Sequence, residues 1–319
     1  MLCLKHKPIS TLTLNKCPVC ESDSIENYIE TPAQMHPSKE LFKFDKCTTC
    51  NFVFLNPRVS VTALSRYYTS HYLPYRGAEA WGVFKGIVER SQKKLDQRKY
   101  RLIQGFAKLD AQHTLLDIGC GKPSFLQTCL EKSGCSCVGI DFSDKGWKAH
   151  TGRYAGLDLH IAEIQDLDKH IQPDIISMWH YLEHDYSPRE HLKHLRSISK
   201  DDTKLVIEVP NYDSHSRKKF KEYWAGWHTP RHTSLFSPHN LKLLLEECGW
   251  NVKQVLPYGT MDAYVLYWMS KMEQRQVKWD KSLATEFYDF VLGMLRFYPL
   301  KRLEKQQPLG IMTVLAEAK

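Results

Sequence analysis

From residue 113 onward the chain alternates short apolar runs with amphipathic stretches of helical length. The runs lie near 113–118, 135–140, 157–161, 174–179, 203–209, 251–257 and 310–317, and each is short and bounded by turn-forming residues, as buried strands are. Between them, 122–133, 144–152, 188–199 and 238–248 place apolar residues three and four apart, the spacing of a helix with one buried face. Ser237 and Pro238 supply the N-cap and first residue of the last helix, and Gly249 its stop. Nearly continuous apolar strands that alternate with helices predict a doubly wound, mostly parallel α/β sheet of seven strands. In such a sheet ligands sit beyond the carboxyl ends of the strands, so Gly119, Asp141, Glu163 and the stretch from Trp179 to His184 should share one rim.

Three segments fall outside this alternation. Residues 1–60 carry two cysteine pairs. Residues 61–112 hold a tyrosine-rich connector, Tyr67 to Arg76, followed by a helix expected over 78–109. Within 113–319, an insertion at about 260–303 carries Tyr264, Tyr267 and Trp268, then Phe287, Phe290, Val291, Met294 and Tyr298, at helical spacing. Two amphipathic helices are expected there, serving as core packing, a homodimer face, a lid over a greasy acceptor, or an interfacial element at a membrane surface.

Composition narrows the picture. At 319 residues and 42% hydrophobic, the chain can bury an α/β core and still carry an appendage. No stretch suffices to span a bilayer and no apolar leader precedes Cys17, so the expected location is cytoplasmic, with peripheral membrane contact open through 260–303. Ten cysteines then read as thiols and metal ligands rather than disulfides. The net charge of +8 is scattered; its clearest run, Arg217-Lys218-Lys219, permits an anionic substrate without requiring one.

Two motifs carry chemistry. Cys17-Pro-Val-Cys20 and Cys47-Thr-Thr-Cys50, separated by 26 residues, supply four thiolates in the pattern of a closed tetrahedral zinc site. Such a site leaves no position for substrate, and about 50 residues have too little core to fold without it, so a structural zinc ribbon is expected. Cys3 and His6 read as an untethered terminus. The second motif is Asp117-Ile-Gly119-Cys-Gly121, a glycine turn between strand and helix, followed by a second strand ending in Asp141. Glycines let backbone approach a ligand, and an acid after the second strand can take both ribose hydroxyls. The third glycine of a dinucleotide fingerprint is missing, and Asp117 would repel phosphate, so the ligand is a nucleoside bearing a cation; S-adenosylmethionine fits.

With these residues the chain resembles class I S-adenosylmethionine-dependent methyltransferases, which have a Rossmann-like fold. The resemblance extends through Asp174-Ile-Ile176, Tyr181-Leu-Glu-His184, Leu205 to Asn211, Pro230-Arg-His232 and Phe236-Ser237, covering roughly 113–258. It is strongest to the branch holding ubiquinone-pathway O-methyltransferases and sugar or natural-product methyltransferases with an N-terminal zinc ribbon. Pro123 departs from it, standing where many relatives have glycine. The resemblance implies that Asp117, Gly119, Gly121, Asp141, Phe142, Glu163, Ile164, Trp179 and Tyr72 line the cofactor site, that Tyr75, Tyr212 and His228 meet the substrate, and that Glu183, His184 and His232 stand at the reacting end. Histidine suits removal of a hydroxyl proton. For Glu183 and His184 the alternative is a pair that fixes the rim loop, for His232 a hydrogen bond closing the loop before Phe236, and for Tyr72 and Tyr75 rings that only pack the ribbon against the core. His180 and His215 read as exposed or local loop histidines.

The implied activity is methylation of a small-molecule acceptor, a sugar, glycolipid, polyketide or quinone-like compound, at oxygen. C-methylation of a keto-sugar would use similar architecture. An RNA methyltransferase gripping nucleic acid with its ribbon would need a basic stripe with exposed stacking rings, whereas Cys17 to Cys50 mixes acids and bases, which disfavours nucleic acid.

Overall fold

The structure, a computed structural model, describes residues 10–168 and 170–319; Cys3 and His6 lie outside the described residues. Its centre is a seven-stranded sheet. In chain order the strands are β4 (Thr114–Ile118), β5 (Ser136–Asp141), β6 (Asp158–Ile161), β7 (Ile175–Trp179), β8 (Lys204–Pro210), β10 (Trp250–Leu256) and β11 (Ile311–Ala318), after the three longer strands of the N-terminal segment, β1 (Ile25–Pro32), β2 (Leu41–Cys47) and β3 (Val53–Leu55), which a two-residue pair, Thr11–Leu12 with Arg58–Val59, flanks. The sheet order is β10-β11-β8-β7-β4-β5-β6, with β11 antiparallel to both neighbours and the remaining pairs parallel. All seven expected strands and the doubly wound class are therefore present. Strands such as Ile175–Trp179 are buried along their whole length, which is why they read as unbroken apolar runs.

The helices at Ser124–Ser133, Pro188–Ile198 and Pro238–Glu247 also form, the last capped by the Ser237 side chain accepting from Asn240 N. The one expected over 144–152 does not. Its place is taken by tight turns at Asp144–Gly146 and Lys148–Tyr154, broken at Trp147 and His150. The cause is packing: Gly146 lies so close to the glycine turn that a Cβ there would meet the Gly121 carbonyl oxygen at 2.0 Å. The connector helix likewise begins later than expected, with a kinked segment over Gly77–Phe84 before the regular helix Lys85–Ala107.

The N-terminal segment is built into the core. Strand β9 (Ser234–Leu235), from the loop after β8, pairs with β3, giving a four-stranded sheet in the order β9-β3-β2-β1. Buried hydrogen bonds reinforce the seam: Thr31 Oγ1 to Thr229 Oγ1 at 2.6 Å, Gln34 Nε2 to the Trp224 carbonyl at 3.0 Å, and Asn240 Nδ2 to the Cys50 carbonyl at 2.6 Å.

The insertion forms two helices, Ala263–Gln274 and Phe287–Lys301. Their inner faces pack with Trp81, Trp279 and Leu309, while Tyr288, Leu292, Leu295 and Tyr298 of the second helix remain exposed. Among the described residues no helix is long and apolar enough to cross a membrane.

Candidate active site

The glycine turn sits at the carboxyl end of β4. Gly119 and Gly121 have φ of +70° and +49°, a region that costs a residue with a Cβ, and the Gly119 and Cys120 amides donate to the Ile140 carbonyl at 2.8 and 3.0 Å. Asp141, at the end of β5, closes the turn: Oδ2 accepts from Gly121 N at 3.0 Å and Oδ1 from Ser143 N at 3.1 Å. Burial raises its pKa despite these donors. Asp117 lies one layer deeper, fully enclosed, accepting from Ser177 Oγ at 2.6 Å; burial pushes it up to about 7, although Lys99 and that hydroxyl pull the other way. Pro123 occupies the N-cap of the following helix, which starts at Ser124, so the departure from glycine leaves the turn intact.

Other expected residues around this turn fall in different places. Trp179 packs edge-on to Phe125 with rings 5.4 Å apart, beneath the Lys99 ammonium at 4.9 Å. Phe142 is exposed and 6.2 Å from the Tyr68 ring. Glu163 is exposed and forms a reciprocal cap with Asp166. Ile164 is wholly buried in the main core, directly after Glu163. Tyr181 was not singled out, yet its ring covers Gly119 so closely that a Cβ there would meet Cδ2 at 2.4 Å.

Beside the turn, where β7 and β8 end, three imidazoles meet. The ring centroids of His184 and His232 are 4.5 Å apart, those of His228 and His232 4.7 Å, and those of His184 and His228 6.1 Å. His184 Nδ1 donates to the Arg231 carbonyl at 3.1 Å and His232 Nδ1 to the Gly226 carbonyl at 2.8 Å. A carbonyl can only accept, so both rings carry the proton on Nδ1 and keep the Nε2 lone pair free. Burial lowers the pKa of all three, His228 and His232 well below the usual value, with Arg231 adding to the effect. They are neutral bases. Tyr72 lies beside this group, 5.5 Å from His228, and under the Arg231 guanidinium at 4.8 Å.

Arg231 is fully buried and explains how the ribbon shapes this end. It donates to the Tyr67 carbonyl at 2.7 Å and the Gln34 carbonyl at 2.6 Å, tying the histidine loop to the N-terminal segment and the connector. Its neighbour Thr233 accepts a place in the same seam, receiving Leu55 N on its carbonyl at 3.0 Å and donating Oγ1 to the Asp185 carbonyl at 2.8 Å.

His180 departs from its reading as an exposed loop residue. It adopts φ of +55°, and its ring bridges two carboxylates, Nε2 to Glu208 Oε1 at 3.2 Å and Nδ1 to Glu183 Oε1 at 3.4 Å. Burial alone would lower its pKa, but the two acids outweigh that and hold it up to about 9. Glu208 is fully buried in β8 and also accepts from Thr260 N at 2.6 Å and from the hydroxyls of Thr260 and Thr313. An acid inside the apolar run Leu205 to Val209 was the available signal for it. Tyr212 packs against Trp224, Trp227 and Tyr28 of the ribbon, with the Arg217 guanidinium 4.4 Å from its ring. Tyr75 is half-exposed and lies against Tyr68 and under the Lys145 ammonium, on the Asp141 side.

The four cysteines converge as their spacing requires. Cys17, Cys20, Cys47 and Cys50 place their sulfurs within 4.8 Å of one another, with 3.6 Å separating Cys17 from Cys50 and Cys20 from Cys47.

Comparison with known proteins completes the description. A family model described as a methyltransferase domain matches residues 90–255. Similar solved structures include the cyclopropane synthase MmaA2 of Mycobacterium tuberculosis, 16% identical over 69% of this chain and 83% of that one, with a TM-score of 0.47. Another is a SAM-dependent methyltransferase of Archaeoglobus fulgidus, at 20%, 70%, 92% and 0.43 in the same order. A third is the 1,6-didemethyltoxoflavin-N1-methyltransferase of Burkholderia thailandensis, at 12%, 84%, 96% and 0.48. No curated protein matches the chain by sequence.

Proposed function

Because the chain belongs to the methyltransferase-domain family and is an S-adenosylmethionine-dependent methyltransferase, we propose that it methylates a hydroxyl oxygen of a small-molecule acceptor. The observation that carries this is the trio of neutral imidazoles beside the glycine turn, His228 and His232 buried and His184 partly so. Methyl transfer from a sulfonium is a displacement: the acceptor oxygen attacks the methyl carbon, the sulfur keeps the bonding pair, and the hydroxyl proton must leave. Alignment of the two substrates supplies up to ~7–11 kcal/mol, and a positioned base typically ~10²–10⁴-fold more. Asp141 and the Gly119–Gly121 turn take the nucleoside, Asp117 lies beneath the cationic end, and an imidazole of His184, His228 or His232 takes the proton.

The four cysteines hold one structural zinc in this reading. Their closed set leaves nothing for substrate, and the metal's work is to keep β1 to β3 in place for the histidine loop. C-methylation of a keto-sugar would use the same neutral bases on a carbon-bound proton. A nucleic-acid acceptor is disfavoured because the ribbon's aromatic rings are turned inward; Phe44, Phe52 and Phe54 are fully buried, leaving Tyr28 as the ribbon's exposed ring among the described residues.

The test is to incubate purified enzyme with cofactor labelled in its methyl group and fractionated cell extract, and to identify the product. A labelled small molecule bearing an O-methyl group is expected. Label recovered only in RNA or protein would overturn the proposal, and label on carbon would move it to the keto-sugar chemistry.

A further inference from the structure

We propose that the outer face of the insertion's second helix is the interface of a homodimer, in which two copies of this helix pack antiparallel across a two-fold axis. The helix, Phe287–Lys301, is apolar on both sides. Its inner side is already covered: Phe287 stacks on Phe84 at 3.7 Å, Phe290 meets Tyr264 at 5.1 Å and Trp268 at 5.3 Å, and Phe297 meets Tyr264 at 5.5 Å. Those contacts fix which side looks outward. Tyr288, Leu292 and Leu295 stand there, 71%, 54% and 63% exposed, with exposed Pro299 one turn further along. A helix at the surface of a monomer carries polar residues on its outer side, whereas one that is apolar all round is covered by something. Val83 and Ile87, both exposed, extend the patch beside the start of the helix, because Phe84 next to them also meets Tyr288 at 5.9 Å.

The spacing of the stripe points to a second helix as its cover. The steps from Tyr288 to Leu292, Leu295 and Pro299 are four, three and four residues, the seam of a two-helix coiled coil, along ~16 Å of helix.

The charges beside the seam point to a second copy of this chain. Asp289 and Arg296 lie seven residues apart on one flank. In an antiparallel pair like flanks face each other, so a two-fold axis near Leu292 sets Arg296 against Asp289 of the partner subunit and repeats that pair in reverse, while the same axis lays the apolar stripe on its own copy. Asp289 is held by Lys271 at 2.7 Å and keeps 38% of its side chain exposed, and a carboxylate has further acceptor sites to offer. The other cover open to an apolar stripe is a lipid surface. Anionic lipid selects cations on the flanks, but this flank carries both signs, as does the Glu79, Lys85 and Glu89 group beside Val83 and Ile87. Five exposed apolar side chains and Pro299 fall short of the ~20–30 residues a side of a standard interface, which places the dissociation constant roughly in the micromolar range.

Sedimentation equilibrium of the full-length protein, from micromolar to hundreds of micromolar, tests this. The dimer is expected to appear as concentration rises. Leu292→Asp and Leu295→Glu, both at exposed positions, should stay monomeric with the far-ultraviolet dichroism of the wild type. Arg296→Glu sets two acids against each other twice across the axis and should weaken association by about tenfold or more. If the leucine variants fail to fold, the wild-type series and Arg296→Glu still decide. Wild-type protein that remains monomeric throughout, a dimer equally stable in the folded leucine variants, or an Arg296→Glu variant that associates like the wild type overturns the proposal. So does wild-type protein that floats with vesicles of phosphatidylglycerol and phosphatidylcholine while Leu292→Asp does not, which would assign the face to lipid. The interface uses none of the residues assigned to cofactor or acceptor, so either outcome leaves the methyltransferase reading as it stands.

Discussion

The two halves of the rim are built in opposite ways. The half we assign to the cofactor is local: residues 117–121 and 141–143 make their own hydrogen bonds at the ends of adjacent strands, and glycine conformation does most of the shaping. The half we assign to the acceptor is assembled from distant segments, Tyr72, His180 to His184 and His228 to His232, and is held by a fourth, the ribbon, through β9 and Arg231. A backbone turn needs only its own residues to be stable. A pocket of neutral imidazoles does not, because each buried polar group needs a partner or a wall supplied from elsewhere.

The comparison predicts that the halves can be broken separately. The largest effect should come from Cys47→Ser. Zinc binding to such a site is worth on the order of 10–16 kcal/mol, far more than a short three-stranded sheet can supply. Metal analysis should show zinc lost and turnover abolished, while calorimetry with S-adenosylmethionine still registers binding; full activity without zinc would mean that the ribbon does not shape the site. His232→Ala comes next. It should lower turnover by ~10²–10⁴-fold and leave cofactor affinity unchanged, since its partners are Gly226 and the other histidines.

Asp141→Ala acts on the other half. Loss of one charged hydrogen-bond partner costs about 1.5–3 kcal/mol, so S-adenosylmethionine should bind roughly ten- to a hundredfold more weakly, with Asn recovering part of the loss. Equal affinity in wild type and variant would place the nucleoside elsewhere.

The smallest effect concerns pH. Asp117 ionises near 3.8 in the unfolded chain and near about 7 in the folded one, so between those values the folded protein holds the extra proton. Raising the pH through that window removes it, which destabilises the ligand-free fold and favours a cationic cofactor. Affinity measured from pH 6 to 8 should therefore rise in the wild type and stay flat in Asp117→Asn.

Much of this was legible in one dimension. Seven apolar runs became seven strands, and the two cysteine pairs met, because buried strands and C-x-x-C turns declare themselves through neighbours in sequence. The misreadings share a cause. Residues 144–152 have helical spacing, yet Gly146 packs against the Gly121 carbonyl and the chain turns tightly instead. His180 looked like a loop residue because the acid that fixes it, Glu208, lies on the neighbouring strand 28 positions later.

The sequence by itself determined the sheet, the glycine turn with its paired acid, and the thiol set, all features whose energy comes from residues within about one supersecondary unit. Tertiary structure alone decided that the ribbon would share a sheet with the loop after β8, that Arg231 would bind one ribbon carbonyl and one connector carbonyl, and that three histidines would stay neutral. Those outcomes depend on burial and on partners up to 198 positions apart, and desolvation is a property of the packed whole that no local pattern records.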